Sequence, residues 1–264
     1  MDISIIIINY NQKNFLKVCF KGILKLMSKI NYEIIIVDNA STDGSQEILT
    51  GFKIKDLRLK VILNNQNLGF GAGCNKGIKI SHGEYILILN PDIAVLENSI
   101  DSLVKFMEEN KKVGIVGPQL LNPDRTIQKS CFRYPCWHMP ILRRTMLGKL
   151  PWAKEKLNDY LMSDFNHQST KKVDWILGAA LMLRKEMIKK IGLFDERFFL
   201  YFEDIDLCRR ANKKGWDVVY CPDSKMFHYH QRDSARLGIF SIFSSFTRIH
   251  IVSAVKYFLK WRKA

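Results

Sequence analysis

Two periodicities alternate along the first half of the chain. Near-continuous apolar runs occur at ISIIIINY (residues 3–10), YEIIIVD (32–38), LKVILN (59–64), EYILIL (84–89) and VGIVGP (113–118). Runs of this length, rich in β-branched residues, read as strands buried on both faces. Between them lie helical patterns. Residues 14–29 place Phe15, Val18, Cys19, Ile23, Leu26 and Met27 at helical spacing, and further helices are expected from about Asp43, over Cys74 to Ile80, and from about Glu97 to Glu109. Strands alternating with helices predict an α/β fold with a mostly parallel, doubly wound central sheet flanked by helices.

The second half is less regular. Residues 131–170 read as loops and short helices, VDWILGAALMLRKEMIKKIG as a strand followed by a helix, FFLYFEDIDLCRRANKKGW as the start of another helix, and DVVYCP as a short strand. Residues 237–259 form an amphipathic helix with Ile239, Ile242, Phe243, Phe246, Ile249, Val252, Val255 and Leu259 mainly on one side. Lys256, Lys260, Trp261, Arg262 and Lys263 make its end basic. That pattern suits an interfacial helix on anionic lipid, and equally a helix packed on the protein's own core or on a dimer partner. The expected organisation is one domain over 1–234, with halves 1–118 and 119–234, and a C-terminal amphipathic extension over 235–264.

Charge sharpens this division. The net charge is +15, of which residues 1–130 carry +3 and residues 131–264 carry +12. A basic half can face nucleic acid, anionic lipid or a phosphorylated substrate. No helix-turn-helix, RNP aromatic set or zinc finger supports nucleic acid. The six cysteines contain no CxxC pair, which fits reduced thiols. The apolar run at residues 3–8 is too short for a signal peptide, and no span of eighteen apolar residues exists, so a cytoplasmic protein is expected.

Several polar positions end apolar runs. Asp38 closes the second strand, and the loop DNASTDGS offers a carboxylate and hydroxyls that can grip a ribose and a base, or can cap the next helix. The segment NNQNLGFGAGCNKG, with Asn67, Gly69, Gly71, Gly73, Asn75 and Gly77, suits close approach of a phosphate or base, although a plain turn competes. At Asn90-Pro91-Asp92 the fourth strand stops, and Asp92 can bind a divalent cation or cap a helix. His228 and His230 offer a nitrogen ligand, of which one is expected to serve. Glu203, Asp204 and Asp206 start a helix. As first-turn acids they complement its dipole, and Asp206 pairs with Arg210. Alternatively one of them is a general base, desolvated by Phe198, Phe199, Tyr201 and Phe202.

These segments, in this order, resemble a family 2 glycosyltransferase of the GT-A fold, and within it the rhamnosyltransferase-like enzymes of bacterial surface polysaccharide assembly. The resemblance runs from Ile3 to about Ser234. It implies that Tyr10, Asn11, Asp38 and the Asn67–Asn75 loop, including Gly69 and Gly71, line the nucleotide. Asp92 matches the last aspartate of the family's DxD motif, with Asn90 at the first acidic position, and His228 would complete the metal site. Gly178 and Ala179 would lie along donor sugar and acceptor, and Asp204, with Glu203 beside it, would be the base. The implied activity is metal-dependent (Mn²⁺ or Mg²⁺) inverting transfer from a nucleoside-diphosphate sugar, dTDP-rhamnose or a UDP-sugar, to a saccharide or polyprenyl-diphosphate-linked acceptor. A peripheral position on the anionic inner face of the cytoplasmic membrane, and an oligomer through the C-terminal helix, are compatible with it. The alternative from another class is a sugar-nucleotide-binding protein without catalysis.

Overall fold

In the computed structural model, residues 2–26, 30–55, 58–143, 146–229 and 245–262 are described. In chain order the elements are β1 (Ile3–Asn9), α1 (Lys13–Leu26), β2 (Tyr32–Asp38), α2 (Ser45–Lys55), β3 (Leu59–Leu63), α3 (Phe70–Ile80), β4 (Tyr85–Leu89), β5 (Ile93–Val95), α4 (Ser99–Glu109) and β6 (Val113–Leu121). There follow β7 (Ile127–Gln128), β8 (Cys131–Phe132), α5 (Met139–Leu142), a 3-10 turn (Met146–Lys149), α6 (Pro151–Tyr160), β9 (Lys171–Lys172) and β10 (Trp175–Ile176). The chain ends with β11 (Ala180–Arg184), α7 (Lys185–Ile191), α8 (Glu203–Lys213), β12 (Asp217–His228) and α9 (Ser245–Trp261).

The main sheet has the order β3-β2-β1-β4-β11-β6-β12-β5, with β7 on β6 and β9 on β12. β1 shows why its run is continuous: Ile3, Ile5 and Ile7 join the core on one face, Ile6 and Ile8 the core on the other, and all are buried. Each such side chain contributes about 1.5–3 kcal/mol of burial, so a shift by one residue would disturb both cores at once.

The sheet is mostly, not wholly, parallel. β11 runs antiparallel between β4 and β6, pairing Ala180 with Leu89, and β5 runs antiparallel to β12. The single strand expected over residues 173–184 is broken into β10 and β11 by a turn at Gly178-Ala179. β12 continues six residues beyond the expected DVVYCP, with a register irregularity between Cys221 and Lys225. α3 begins four residues before Cys74, because its glycines lie within the helix and pack on the sheet. A Cβ at Gly77 would stand 2.6 Å from Ile6 Cγ2, and one at Gly73 3.1 Å from Ile8 Cγ2. In α1 the buried face is Leu16, Cys19, Phe20 and Ile23, whereas Val18, expected inside, is 60% exposed.

α9 also differs from expectation. It buries Thr247, Ser253, Ala254 and Tyr257, while Val252, Val255 and Leu259 of the anticipated apolar side point outward. Of the three readings of that side, the protein's own core does not take these three residues, which leaves a lipid surface or a dimer partner. Ile239, Ile242 and Phe243, like His230 and Lys263, lie outside the described residues. Among the described residues no helix is long and apolar enough to cross a membrane.

Candidate active site

The C-terminal ends of the parallel strands collect the polar residues, as the geometry of an open α/β sheet requires. β1 and β2 place Asn9 opposite Asp38. Asn9 Nδ2 donates to Asp38 Oδ2 at 2.7 Å and to Ser41 Oγ at 3.1 Å. Asp38 Oδ1 accepts from the Ser41 amide (2.9 Å) and Gln46 Nε2 (3.0 Å). The fully buried Asp38 thus organises its loop from within. Asn11, with φ of 53°, accepts from the Thr42 amide at 2.7 Å, and Tyr10 beside it is 47% exposed with its ring open to solvent. Residues 9–11 and 38–42 therefore form one hydrogen-bonded rim. Asn9 and Gln46 belong to it although neither was singled out in the sequence; the polar end of an otherwise apolar strand was the signal for Asn9.

The glycine-rich segment is built around close contacts within the protein. Asn67 Oδ1 accepts from the Gly69 amide at 2.9 Å, closing a local turn. Gly69 has φ of +85°, and a Cβ there would lie 2.2 Å from the Phe199 carbonyl oxygen, which accepts from the Phe70 amide at 2.9 Å. Gly71 is buried, and its missing Cβ would meet Phe194 and Glu203. These glycines admit the protein's own backbone and side chains. Asn75 is a clamp: its Nδ2 donates to the Phe194 carbonyl and to Glu196 Oε1, each at 2.9 Å, and its Oδ1 accepts from the Phe194 amide. At 1% exposure it holds the loop before α8.

At the end of β4, Asn90 and Ile93 close a tight turn (N–H to O 3.2 Å) that carries Pro91 and Asp92. β5 follows at once, so Asp92 caps no helix. The pairing of Ile93 with His228 brings Asp92 and His228, 136 positions apart, together, with His228 Nε2 3.5 Å from Asp92 Oδ2. His228 Nδ1 lies 2.7 Å from Gln128 Oε1, and a proton on Nδ1 donated to that acceptor would leave Nε2 turned toward Asp92 as a nitrogen ligand. Asp92 Oδ1 is buried and makes no hydrogen bond among the described residues. A carboxylate oxygen without a donor beside an imidazole lone pair fits a divalent cation. No third His, Cys, Asp or Glu joins them among the described residues, so two protein ligands would leave most of the coordination shell to a diphosphate. Gln128 was invisible to sequence reasoning; only the β6–β7 pairing brings it here.

The acids of α8 complete the cleft. Tyr201 and Phe202 precede them with φ of 68° and 70°, a strained entry with no glycine to signal it. Asp204 is 8% exposed and Glu203 4%. Asp204 Oδ2 accepts from the Gly178 amide at 2.9 Å and Oδ1 from the Ile205 amide at 2.8 Å. Burial still pushes its carboxyl up to about 6, against the pull of those amides. Burial first, and the neighbouring Asp204 charge second, raise Glu203 well above the usual carboxylate range, and its Oε2 is without a hydrogen bond among the described residues. Asp204 is therefore the ionisable member of the pair near neutral pH. Of the aromatics before them, Phe198 and Phe202 are buried, whereas Phe199 is exposed.

Two hydrogen bonds unite the cleft. The Asn90 amide donates to the Ala179 carbonyl at 2.9 Å, and the next residue back, Gly178, donates to Asp204. The turn bearing Asp92 and the acid at the head of α8 therefore flank a single two-residue strip.

Comparisons with known proteins bear on the family and the fold. A family model described as Glycosyl transferase family 2 matches residues 4–191. The chain is 27% identical over 230 residues to the N-acetylglucosaminyl-diphospho-decaprenol L-rhamnosyltransferase of Mycobacterium tuberculosis, covering 82% of this chain and 73% of that protein. It is 26% identical to the rhamnosyltransferase WbbL of Escherichia coli, covering 98% of this chain and 94% of that one. Among solved structures, the mannosyltransferase PcManGT of Pyrobaculum calidifontis, in complex with GDP-Man and Mn²⁺, superposes with a TM-score of 0.61 at 16% identity, covering 98% of this chain and 70% of that one. The chain belongs to glycosyl transferase family 2 and has the GT-A fold.

Proposed function

We propose that this chain is a metal-dependent inverting glycosyltransferase that moves rhamnose, or a related hexose, from a nucleoside-diphosphate donor to a saccharide carried on a polyprenyl diphosphate. The observation that carries this reading is the strip Gly178-Ala179, which joins the Asp92 turn to Asp204. The diphosphate belongs at Asp92 and the acceptor hydroxyl at Asp204. Tyr10, Asn11, Asp38 and Asn67 stand at the nucleotide end, with Asn90, Gly178 and Ala179 along the sugar.

Asp204 takes the proton of the acceptor hydroxyl. The hydroxyl oxygen attacks the anomeric carbon from the face opposite the diphosphate, and the bond to the diphosphate oxygen breaks through an oxocarbenium-like state. Glu203, held neutral by burial, keeps the charge of the pair on Asp204. Asp92 and His228 would hold Mn²⁺ or Mg²⁺, which when bound neutralises charge on the leaving diphosphate. The names of the two relatives support rhamnose as the sugar, and the mycobacterial name supports a lipid-linked acceptor. The proposed donor is dTDP-rhamnose, with a UDP-sugar as its competitor. Such an acceptor places the enzyme at the inner face of the cytoplasmic membrane.

Asp204→Asn tests the central role. Donor affinity by calorimetry should persist while turnover falls roughly 10²–10⁴-fold. Loss of donor binding together with turnover would remove Asp204 from the base's position. A thermal-shift screen of nucleotide sugars, with and without Mn²⁺, identifies the donor.

A further inference from the structure

Large exposed apolar side chains are not scattered over this protein. Among the described residues, ten of the sixteen fall in two stretches, 137–152 and 246–259. On α9, Ile251, Val252, Val255 and Leu259 form one outward stripe, each 50–58% exposed, at spacings that keep them on a single helix face. Exposed Arg248, Lys256 and Arg262 flank it. In the other stretch, Trp137 is 71% and Trp152 51% exposed, with Lys149 and Lys154 exposed nearby. Interleaved aromatics and bases of this kind are disfavoured on a surface that meets only water.

A third feature lies at the end of α9. A cavity of about 160 Å³ is lined by Lys190, Ile191, Arg210, Lys213, Lys214 and Trp261. Arg210 is neutralised by Asp206 and Lys190 by Glu186, but Lys213 and Lys214 make no ion pair among the described residues. Lys213 Nζ stands 5.1 Å from the centre of the Trp261 ring. The cavity walls thus carry cations and an aromatic face and no acid, which suits an anionic headgroup.

We propose that α9 docks this protein on an anionic lipid surface, with the Ile251–Leu259 stripe entering the interface and the Lys213/Lys214 cavity taking lipid phosphates. The charge of the surroundings selects this occupant: a second copy of a chain with net charge +15 would bring like charge to the same face. The proposal deepens the reading of a lipid-linked acceptor and rests on it. It also gives α8 a second task. That helix carries Asp204 in its first turn and Lys213 in its last, about 14 Å apart along the axis at about 1.5 Å per residue. The base would then stand at a fixed, short distance from the headgroup layer where the acceptor's diphosphate sits.

The test is flotation of the full chain with vesicles of phosphatidylglycerol and phosphatidylcholine, compared with pure phosphatidylcholine. Wild type should float with the anionic vesicles only. Val255→Glu/Leu259→Glu and Lys213→Glu/Lys214→Glu should each reduce binding roughly tenfold or more, with donor-nucleotide affinity and melting temperature unchanged. Because donor binding is read separately, failure of the docking surface is distinguishable from failure of the glycosyltransferase reading. Wild type that stays off anionic vesicles, equal flotation with zwitterionic ones, or variants that float like wild type overturn the proposal. So do stripe variants that turn a dimer into monomers while floating unchanged. Should a lysine variant fail to fold, the salt dependence of wild-type flotation decides the same point: binding that does not weaken with added salt overturns the role of charge.

Discussion

The Gly178 amide donates to Asp204 Oδ2 over 2.9 Å, and a Cβ at Gly178 would come within 3.3 Å of both that oxygen and Asp204 Cβ. The acid is therefore positioned by a backbone donor on a residue that leaves little room for a larger side chain. The bond favours the carboxylate form, opposing the burial that raises the carboxyl, so the same contact aims the base and moderates its basicity.

Gly178→Ala requires Asp204 to give by a few tenths of an ångström, whereas Gly178→Val adds branches that displace it. Turnover should fall mildly in the first and roughly 10²-fold in the second, with donor affinity nearly constant. Steady-state kinetics with parallel calorimetry reads both, and full activity in Gly178→Val would show that the strip does not position the base.

The pH profile follows from the carboxyl of Asp204, which burial pushes up to about 6 from an ordinary 3.8. Its ionised form is the base, so kcat/KM should rise with pH through about 6 and level off above it. Stability moves the other way. A buried acid with a raised value favours the folded state most below 3.8, and that contribution is lost as pH climbs through about 6. Wild type should therefore lose melting temperature relative to Asp204→Asn across that window. A flat kcat/KM profile between about pH 5 and 7 would contradict the assignment.

Gln128 stands 2.7 Å from Nδ1 of His228, on the side of the ring away from the Nε2 that faces Asp92. With its acceptor removed in Gln128→Leu, the Nδ1 proton loses its partner and the Nε2 lone pair is no longer fixed toward Asp92. The Mn²⁺ concentration for half-maximal nucleotide binding should rise roughly 10–100-fold. Calorimetry of Mn²⁺ into the free protein should show only weak binding, because two ligands cannot complete a shell. Tight binding without nucleotide would mean further ligands exist.

How far the sequence could be read depended on whether a signal was local. Ile5 to Ile8 and Ile86 to Leu89 read as strands because both faces of the sheet are covered, so no polar alternation interrupts them. The start of α3 was obscured because Gly69, Gly71 and Gly73 imitate a turn, while in the fold the last two let the helix press on Glu203 and Ile8. β12 was cut short because Pro222-Asp223-Ser224 looks like an ending, and the strand absorbs it as an irregularity in register. At the site, Asp38, Asp92 and Asp204 were legible as carboxylates at the ends of elements. His228 and His230 were both legible as possible nitrogen ligands, but the choice of His228 as partner of Asp92 rested on the family resemblance, since register across β5 and β12 leaves no local trace. The clamp made by Asn75 was not legible, because a polar residue in a glycine-rich stretch gives no sign of which loop its amide will hold.

Asp206, two residues from the base, separates structural from catalytic acid. It is fully buried; its Oδ2 accepts from Arg210 Nε at 2.8 Å, and its Oδ1 meets Lys260 Nζ at 2.6 Å and Trp261 Nε1 at 2.9 Å. Lys260 also binds Asp195, which Arg197 and Lys260 together hold far below the usual carboxylate range. Asp206 is thus the point where α9 is fastened to α8. Removing one member of such a buried network leaves uncompensated charge, which costs about 3–5 kcal/mol. Asp206→Ala should therefore lower the melting temperature by many degrees and expose α9 to limited proteolysis, while folded molecules retain donor affinity and most of their turnover. Asp204→Ala should do the reverse, losing turnover with little loss of stability above pH 6. Loss of turnover in Asp206→Ala at temperatures where the fold is intact would show that this acid acts in the chemistry as well.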